Sequence, residues 1–266
     1  MSEEENTEKT PVKANFKDIL KSVTELNKQH IQSIYVPSVN DVINFKPLTV
    51  KQQKGILSSG VDMDVENLTF SNTINNIINE NCLQGKQHIR ITDRPAIVLQ
   101  LRQKALGNEL KFNTDGKDYT VDIDERITLV KSNPPKESTF EITVENLKII
   151  GSIPDLKKDL KYNAQFTNTI KSSKRGSTVK LTDVIGDIYI HEMVKYVNGI
   201  EIGDQSINID DITVTQAIEI FESLPMSASL KVSDKIKTLR ECENIAMGVG
   251  DDAQIPFDAS LFTVSE

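Results

Sequence analysis

Apolar residues in the first part of the chain recur at two different spacings. Spacings of three and four over residues 16–26 predict a short amphipathic helix at the edge of the fold. Short apolar runs on both sides of a Pro-Ser turn predict a hairpin over residues 31–45. Helical spacing then returns twice, so we expect helices over residues 71–81 and 93–106. The N-terminal part therefore combines one hairpin with several helices.

Two of the predicted helix starts carry capping signals. Thr49 is followed three residues later by Gln52, a capping box in which each side chain bonds the other residue's backbone N–H, so a helix is predicted to begin at Val50. The run Thr-Asp-Arg-Pro at residues 92–95 places a cap, an acid and a proline before the next helix. Gly107 predicts a left-handed stop at the end of that helix.

From Leu110 the period of the apolar pattern changes from 3.6 to two. Alternating runs flank Asp115-Gly116 and predict a second hairpin. Further alternating runs predict strands over residues 127–130, 140–144 and 147–150. Residues 110–180 are therefore predicted to form a mainly β insert.

Helical spacing returns in the last third of the chain. It runs over residues 182–196 and predicts the longest helix of the protein. A turn at Gly203-Asp204 predicts another hairpin. Two final helices are predicted over residues 214–223 and 233–247, separated by a Leu-Pro break, because proline removes a helix hydrogen bond and restrains the residue before it.

These elements together indicate an α+β fold. It should contain an N-terminal two-stranded hairpin with a helical cluster, a central mainly β insert, and a C-terminal helical region with a hairpin. The expected units are a disordered lead, an N-terminal α+β domain, the insert, the helical region and a loose acidic tail, over residues 1–14, 15–109, 110–180, 181–247 and 248–266. A chain of 266 residues is long enough to be stable without a metal or a disulfide.

The charge of the chain is unevenly distributed. The net charge is −8, and residues 199–266 hold 4 Lys/Arg and 13 Asp/Glu, which leaves residues 1–198 at +1. Such an acidic end repels a phosphate backbone, so nucleic-acid binding is not expected. A separate basic patch of Lys171, Lys174, Arg175 and Lys180 would be the exception, although a solvated loop is the favoured interpretation of that cluster.

Cysteine and histidine are scarce. Cys82 and Cys242 are too few for a disulfide framework, and with three histidines they are too few for a cysteine-rich zinc site. Two separately buried thiols are favoured over one bridge. No glycine-rich phosphate signature is present, so neither a cofactor nor a small-molecule ligand is expected. No segment approaches the ~20 apolar residues of a membrane span, so a membrane partner is not expected either.

Two residue pairs are candidates for acid–base chemistry. His191 adjoins Glu192, and His88 lies five residues before Asp93. A catalytic assignment also needs a nucleophile and an oxyanion site in the same cleft, and the sequence locates neither. Structural histidines are therefore favoured. A small metal-dependent hydrolase using His191 and Glu192 remains the alternative from another functional class.

Four short segments occur in an order known from one protein family. They are Val-Pro-Ser at 36–38 with Phe-Lys-Pro-Leu at 45–48, Leu-Gln-Leu-Arg-Gln-Lys-Ala-Leu-Gly at 99–107, Tyr-Ile-His-Glu-Met-Val-Lys-Tyr at 189–196, and Glu-Ser-Leu-Pro at 222–225. In this order and spacing the chain resembles the baseplate proteins of T-even-type bacteriophages, which are associated with the hub of a contractile tail. The resemblance spans residues 31–247.

The resemblance implies a non-enzymatic role with no catalytic residues to transfer. It implies a structural component or an assembly factor of the baseplate hub, with other hub or wedge proteins of the same phage as partners. The working location would be the virion baseplate, the host cytoplasm during assembly, or both. Several members of the family carry paired cysteines in the central insert, whereas residues 108–180 contain none, so no metal-clamped insert is expected here.

The first helix is one candidate partner-binding surface. An amphipathic stripe has the same spacing whether it packs on its own domain or docks into another protein's groove. Packing on its own domain is the favoured interpretation. In the alternative, the chain is a generic docking module whose first helix grips a single partner through Phe16, Ile19, Leu20 and Val23.

Two further candidate contacts lie in the C-terminal region. Glu192 and Lys195 are three residues apart on a predicted helix and are expected to pair with each other, while the alternative is that Glu192 pairs with a partner's cation. If the corner formed by Leu224, Pro225 and Met226 is exposed, it would receive a neighbouring protein. If it is buried, it would only connect two helices.

Overall fold

The computed structural model describes residues 15–60, 68–173, 181–250 and 253–263. The predicted disordered lead over residues 1–14 lies outside these ranges. So do the side chains of the possible basic patch, Lys171, Lys174, Arg175 and Lys180.

The N-terminal part places one hairpin among four helices. Its elements are α1 (Phe16–Gln29), β1 (Gln32–Val36), β2 (Asp41–Phe45), α2 (Val50–Ser59), α3 (Leu68–Asn81) and α4 (Arg94–Leu106). Two short 3-10 turns, Lys86–His88 and Ile91–Asp93, lead into α4. The predicted hairpin and the helices that follow it are confirmed.

The middle part mixes strands and helices. Its elements are β3 (Glu109–Thr114), β4 (Lys117–Asp122), α5 (Ile123–Ser132), β5 (Thr139–Val144), β6 (Leu147–Ser152) and α6 (Leu156–Ser173). The C-terminal part contains α7 (Leu181–Val194), β7 (Val197–Ile202), β8 (Gln205–Asn208), α8 (Val214–Glu222), α9 (Met226–Leu239), α10 (Glu241–Met247), β9 (Gly248–Val249) and β10 (Ala253–Gln254), and a 3-10 turn at Ala259–Phe262.

All the strands pair antiparallel. The pairs β1–β2, β3–β4 and β9–β10 are two-stranded, and the largest sheet in the described chain has the order β5-β6-β7-β8. That sheet joins two hairpins across the β6–β7 edge. Its strands together with the surrounding helices confirm the α+β class.

The prediction of a mainly β insert over residues 110–180 is wrong, because this part of the chain contains two helices, α5 and α6. Residues 127–130 lie in α5, where Ile123, Ile127 and Val130 are buried at helical spacing and Asp122 accepts a capping hydrogen bond from the Glu125 N–H at 2.9 Å. A run of four residues is too short to separate a period of two from a period of 3.6.

The second unpredicted helix, α6, is the longest in the described part of the chain. Its inward positions include Leu156, Tyr162 and Phe166, but also the polar residues Asp159 and Asn163, all buried. Polar residues in the buried stripe hide the helical hydrophobic period. Helix α7, predicted to be the longest, has 14 residues against 18 in α6.

Helix boundaries follow the local signals in part. The capping box at the start of α2 is confirmed, because Thr49 Oγ1 accepts from the Gln52 N–H at 3.2 Å and Gln52 Oε1 accepts from the Thr49 N–H at 3.1 Å. Gly107 ends α4 with a positive φ of 96°, but its ψ of 170° is extended, so the left-handed stop is wrong. The predicted helix over residues 233–247 is two helices that meet at Arg240.

Residues 253–263 of the predicted loose tail are packed. Ile255, Leu261 and Phe262 are buried in the common core. The Gln53 side chain of α2 donates to the Phe262 carbonyl at 3.3 Å, and the Phe257 ring meets Phe70 of α3 edge to face at 5.2 Å. The apolar residues among the acidic ones explain this correction, since burying them outweighs the acidic composition of the segment.

Candidate protein-protein interface

A buried ion cluster links four helices at the centre of the molecule. The carboxylate of Asp159 on α6 is fully buried and lies 3.0 Å from Arg94 Nη1 on α4 and 2.7 Å from Lys195 Nζ, just beyond the end of α7. It also accepts hydrogen bonds from Asn75 Nδ2 on α3 at 2.7 Å and from Asn163 Nδ2 at 3.2 Å. Both oxygens of the acid thus have a donor: Oδ1 accepts from Lys195, and Oδ2 accepts from the other three groups.

The charges in this cluster decide its ionisation. Burial alone would raise the pKa of the Asp159 carboxyl, but the cations of Arg94 and Lys195 and the hydrogen bonds hold that pKa at about 2. Lys195 is only 2 % exposed, so it faces into the fold rather than toward a partner. Its ammonium also donates to Glu192 at 2.6 Å, which confirms the expected pairing of these two residues.

A second buried carboxylate, Asp93, ties the first hairpin to the start of α4. Asp93 accepts from the Ser38 N–H at 2.8 Å, from Ser38 Oγ at 2.6 Å and from the Arg90 N–H at 2.7 Å. Burial nevertheless raises the pKa of Asp93 to about 6, because these hydrogen bonds lower it less than desolvation raises it. Asp93 was expected as an early helix acid and as a possible partner of His88, and no sequence signal pointed to its distant partner Ser38.

Gln100 on α4 holds the same hairpin from the other side. Its Oε1 accepts from the Tyr35 N–H at 2.8 Å, and its Nε2 donates to the Tyr35 and Ala96 carbonyls at 2.9 Å. The hairpin segment beginning at Val36 and the helix end beginning at Leu99 therefore meet through structural contacts, which accounts for their occurrence together.

The residues of the two candidate acid–base pairs make contacts with other side chains. His191 is buried, its ring packs on Phe166 with the ring centres 4.8 Å apart, and burial lowers its pKa. Its neighbour Glu192 accepts from Lys195. His88 is exposed and contacts Gln87. Among the described residues, no group of three His, Cys, Asp or Glu side chains is placed to hold a metal ion.

Both thiols are free and buried, as expected. Cys82 Sγ contacts the Gln84 carbonyl at 3.0 Å, and Cys242 Sγ contacts the Thr92 carbonyl at 3.7 Å. The structure therefore holds two separate thiols rather than one bridge.

The apolar stripe of α1 is exposed along its whole length. Phe16 is 79 % exposed and the remaining four residues are about half exposed; these are Ile19, Leu20, Val23 and Leu26. The favoured interpretation, in which this stripe packs on its own domain, is therefore wrong. Amphipathic spacing alone does not reveal which protein covers a helix.

A second apolar surface lies between α7 and α9. A groove of about 410 Å³ separates these helices; it is lined by Ile188, Tyr189, Glu192, Met193, Tyr196, Ser233, Ile236, Lys237 and Arg240. Met226 and Leu230 precede Ser233 on the same face of α9, and Met226 is 75 % exposed. We call the groove and these two residues the α7–α9 surface.

The Leu-Pro corner lies at one end of this surface. Leu224 packs partly against the core, whereas Pro225 and Met226 are exposed. Tyr189 and Leu230, both about half exposed, were not among the sequence candidates. Their signal was present, since Leu230 follows Met226 at helical spacing and Tyr189 precedes Met193 in the same way.

The profile of a family described as T4 bacteriophage base plate protein matches residues 28–247. The chain belongs to this family. No curated protein and no solved structure matched the chain. In the described residues, no helix combines the length and the apolar character needed to cross a membrane.

Membership in the baseplate family makes this chain a structural protein of the phage tail baseplate, in contact with other baseplate proteins. The match covers the ion cluster, the Asp93 site and the α7–α9 surface. It starts at residue 28, so it leaves out nearly all of α1. The exposed stripe of α1 thus lies outside the matched range.

Proposed function

We propose that this baseplate protein is a non-enzymatic component or assembly factor of the hub of a contractile tail, acting through contacts with other hub or wedge proteins. The observation that supports it is the α7–α9 surface, where Tyr189, Met226 and Leu230 are exposed around an apolar groove. Large contiguous apolar patches are rare on the surface of monomeric proteins and mark sites of interaction.

The chemistry of this surface suits a protein partner. Aromatic residues and methionine are enriched in the centres of interfaces, and methionine adapts its shape to what covers it. A groove between two helices is also the usual receptor for the apolar face of a partner helix. We infer that the partner inserts apolar side chains between α7 and α9, with Glu192 and Lys237 at the polar rim.

The exposed stripe of α1 supplies a second contact in this proposal. Five apolar side chains on one face of an isolated helix are costly to leave in water. Since the stripe lies outside the family match, we infer that it serves a partner particular to this phage. Two separate apolar surfaces would let the protein bridge two neighbours.

The side chains that might have supported catalysis are used in the scaffold. Glu192 pairs with Lys195, His191 packs on Phe166, and Asp93 fixes the first hairpin. These engagements favour a structural role over the hydrolase alternative.

The test is a phage that carries the Met226→Ser/Leu230→Ser variant. We expect the purified variant to melt at the wild-type temperature, because both side chains are exposed, while infectious particles fall roughly tenfold or more. The matched control is Val50→Ser/Leu129→Ser, which removes two exposed apolar side chains from α2 and α5. An equal loss in the control, or no loss in either variant, would contradict the proposal.

The same particles separate a structural component from an assembly factor. If the protein remains in purified wild-type particles, it is a retained part of the hub. If it is present in infected cells during assembly and absent from purified particles, it is an assembly factor.

A further inference from the structure

A cleft lies between the four-stranded sheet and the start of α6. Its volume is about 830 Å³. Strands β6, β7 and β8 contribute short polar residues, a glycine and three isoleucines to its lining; these are Ser152, Asn198, Gly199, Ser206, Asn208, Ile150, Ile200 and Ile207. Four cations surround it: Arg90, Lys157, Lys158 and Lys161. We call this region the basic cleft.

The carboxylates that line the basic cleft already have partners. Asp155 caps α6 by accepting from the Lys158 N–H at 2.7 Å. Asp210 lies 3.4 Å from the Lys158 ammonium, and Glu201 lies 3.8 Å from the Lys148 ammonium. The acids of the cleft therefore neutralise Lys158 and a lysine outside it, not the other three cations.

Lys157 and Lys161 belong to no ion pair of the described residues, whereas the charge of Arg90 acts on the buried Asp93 carboxylate and lowers its pKa. Within the described residues, no carboxylate lies within salt-bridge distance of any of the three. Lys157 and Lys161 are exposed and one turn apart on α6. The cleft is therefore lined by four cations and three carboxylates, one positive charge in excess, in a protein with a net charge of −8.

The position of these lysines is unfavourable for the isolated fold. The N-terminus of a helix carries a partial positive charge, so cations destabilise its first turns. Like charges four residues apart, as at Lys157 and Lys161, also destabilise a helix. Departures from local electrostatic rules are expected where a function requires them.

Arg90 is held on a fixed backbone at the cleft. Its N–H donates to Asp93 Oδ2 at 2.7 Å, and its backbone forms an isolated antiparallel bridge with Asp155. The next residue, Ile91, donates its N–H to the Pro154 carbonyl at 3.1 Å. The backbone of Arg90 is thus fixed beside the cleft before any partner arrives.

We propose that the basic cleft binds a short acidic segment of another baseplate protein, whose carboxylates pair with Arg90, Lys157 and Lys161. This inference rests on the proposed function, since it identifies the chemistry of one contact of the hub protein. A nucleic acid is the less favoured occupant. Single-stranded nucleic acids are bound largely through base stacking on aromatic side chains, and this chain has no Trp and only 5% aromatic residues.

The test measures binding of a short fluorescein-labelled poly-glutamate peptide to the full-length protein by fluorescence anisotropy. We expect the wild type to bind in a salt-sensitive manner and Lys157→Glu/Lys161→Glu to bind at least about tenfold more weakly. The melting temperature of this variant should equal or exceed that of the wild type, because acids are favourable at a helix N-terminus. Weaker binding with an undiminished melting temperature would separate a ligand site from a structural role.

The matched control is Lys117→Glu/Lys136→Glu, which makes the same change in net charge at exposed positions outside the cleft. It should bind the peptide like the wild type. The proposal is overturned by an equal loss in this control, by no binding to the wild type, or by a single-stranded DNA of matched charge that binds more tightly than the peptide. Incorporation into particles is measured separately, so failure of the cleft leaves the hub assignment intact.

Discussion

Two regions of the molecule each bury an aspartate completely, and they ionise in opposite ways. Asp159, between α3, α4, α6 and α7, touches two cations and has a pKa of about 2. Asp93, between the first hairpin and α4, accepts three hydrogen bonds from neutral groups and has a pKa of about 6. Neutral donors therefore do not replace contact with a cation, even when each oxygen is hydrogen-bonded.

The largest expected effect comes from breaking the first region. Asp159→Asn removes the charge, leaves the buried Arg94 without a carboxylate and leaves Lys195 with Glu192 alone, which should cost about 3 to 5 kcal/mol of unfolding free energy in urea. Adding Lys195→Met removes one of these two buried cations and should restore part of the lost unfolding free energy. If the double variant is less stable than the single one by the full cost of Lys195→Met, the two residues are not coupled.

The two regions should respond oppositely to pH. Asp159 has a folded pKa below the usual ~3.9, so its stabilisation is present above pH ~4 and is lost as pH falls toward 2. Asp93 has a raised folded pKa, so its contribution is fully present below pH ~4 and is lost as pH rises through 6. Each of these two differences between the folded and the unfolded pKa corresponds to about 3 kcal/mol of unfolding free energy.

Urea unfolding across this pH range measures both effects. Asp93→Asn should abolish the loss of stability between pH 4 and 6 and should leave the acid limb unchanged. An unchanged slope between pH 4 and 6 in this variant would show that Asp93 does not titrate there.

A smaller effect is expected from the donors of the second region. Ser38→Ala removes the Oγ hydrogen bond to Asp93 while the Ser38 N–H still donates. The variant should lose about 1 to 3 kcal/mol at pH 7, because the ionised carboxylate keeps fewer donors. The pKa of Asp93, followed by NMR titration, should rise above its wild-type value. A fall in that pKa would contradict the assigned hydrogen bond.

The smallest effect belongs to an ion pair at the surface. Lys237 and Asp234 lie 3.3 Å apart on α9, and both are about three-quarters exposed. Lys237→Ala should change the unfolding free energy by less than about 1 kcal/mol. A cost comparable to that of Asp159→Asn would mean that burial is not what distinguishes the two ion pairs.

The sequence predicts the parts of this fold that depend on neighbouring residues. The capping box at Thr49 and Gln52 needs only four residues, and the first hairpin needs only a turn between two apolar runs. The ion cluster joins Asp159 to Arg94, which is 65 residues away, and to Lys195, which is 36 away. No spacing rule connects residues so far apart, and the polar members also concealed the period of α6.

The candidate surfaces show a different limit. The stripe of α1 was recognised, but the same pattern suits burial in its own domain or in a partner, and only the exposure of Phe16 separates them. The basic cleft was not predicted, because Arg90 and Lys157 are far apart in the sequence and are brought together by tertiary contacts such as the Arg90–Asp155 bridge.

The order of strands in the largest sheet has a consequence for how the chain is synthesised. The hairpins β5–β6 and β7–β8 can each close locally, but the β6–β7 edge forms only after α6 and α7, which lie between them, have been made. Until then β6 presents an unpaired edge to other nascent chains. When many copies are synthesised at once, these chains would therefore be most prone to aggregation during that interval, well before a baseplate is assembled.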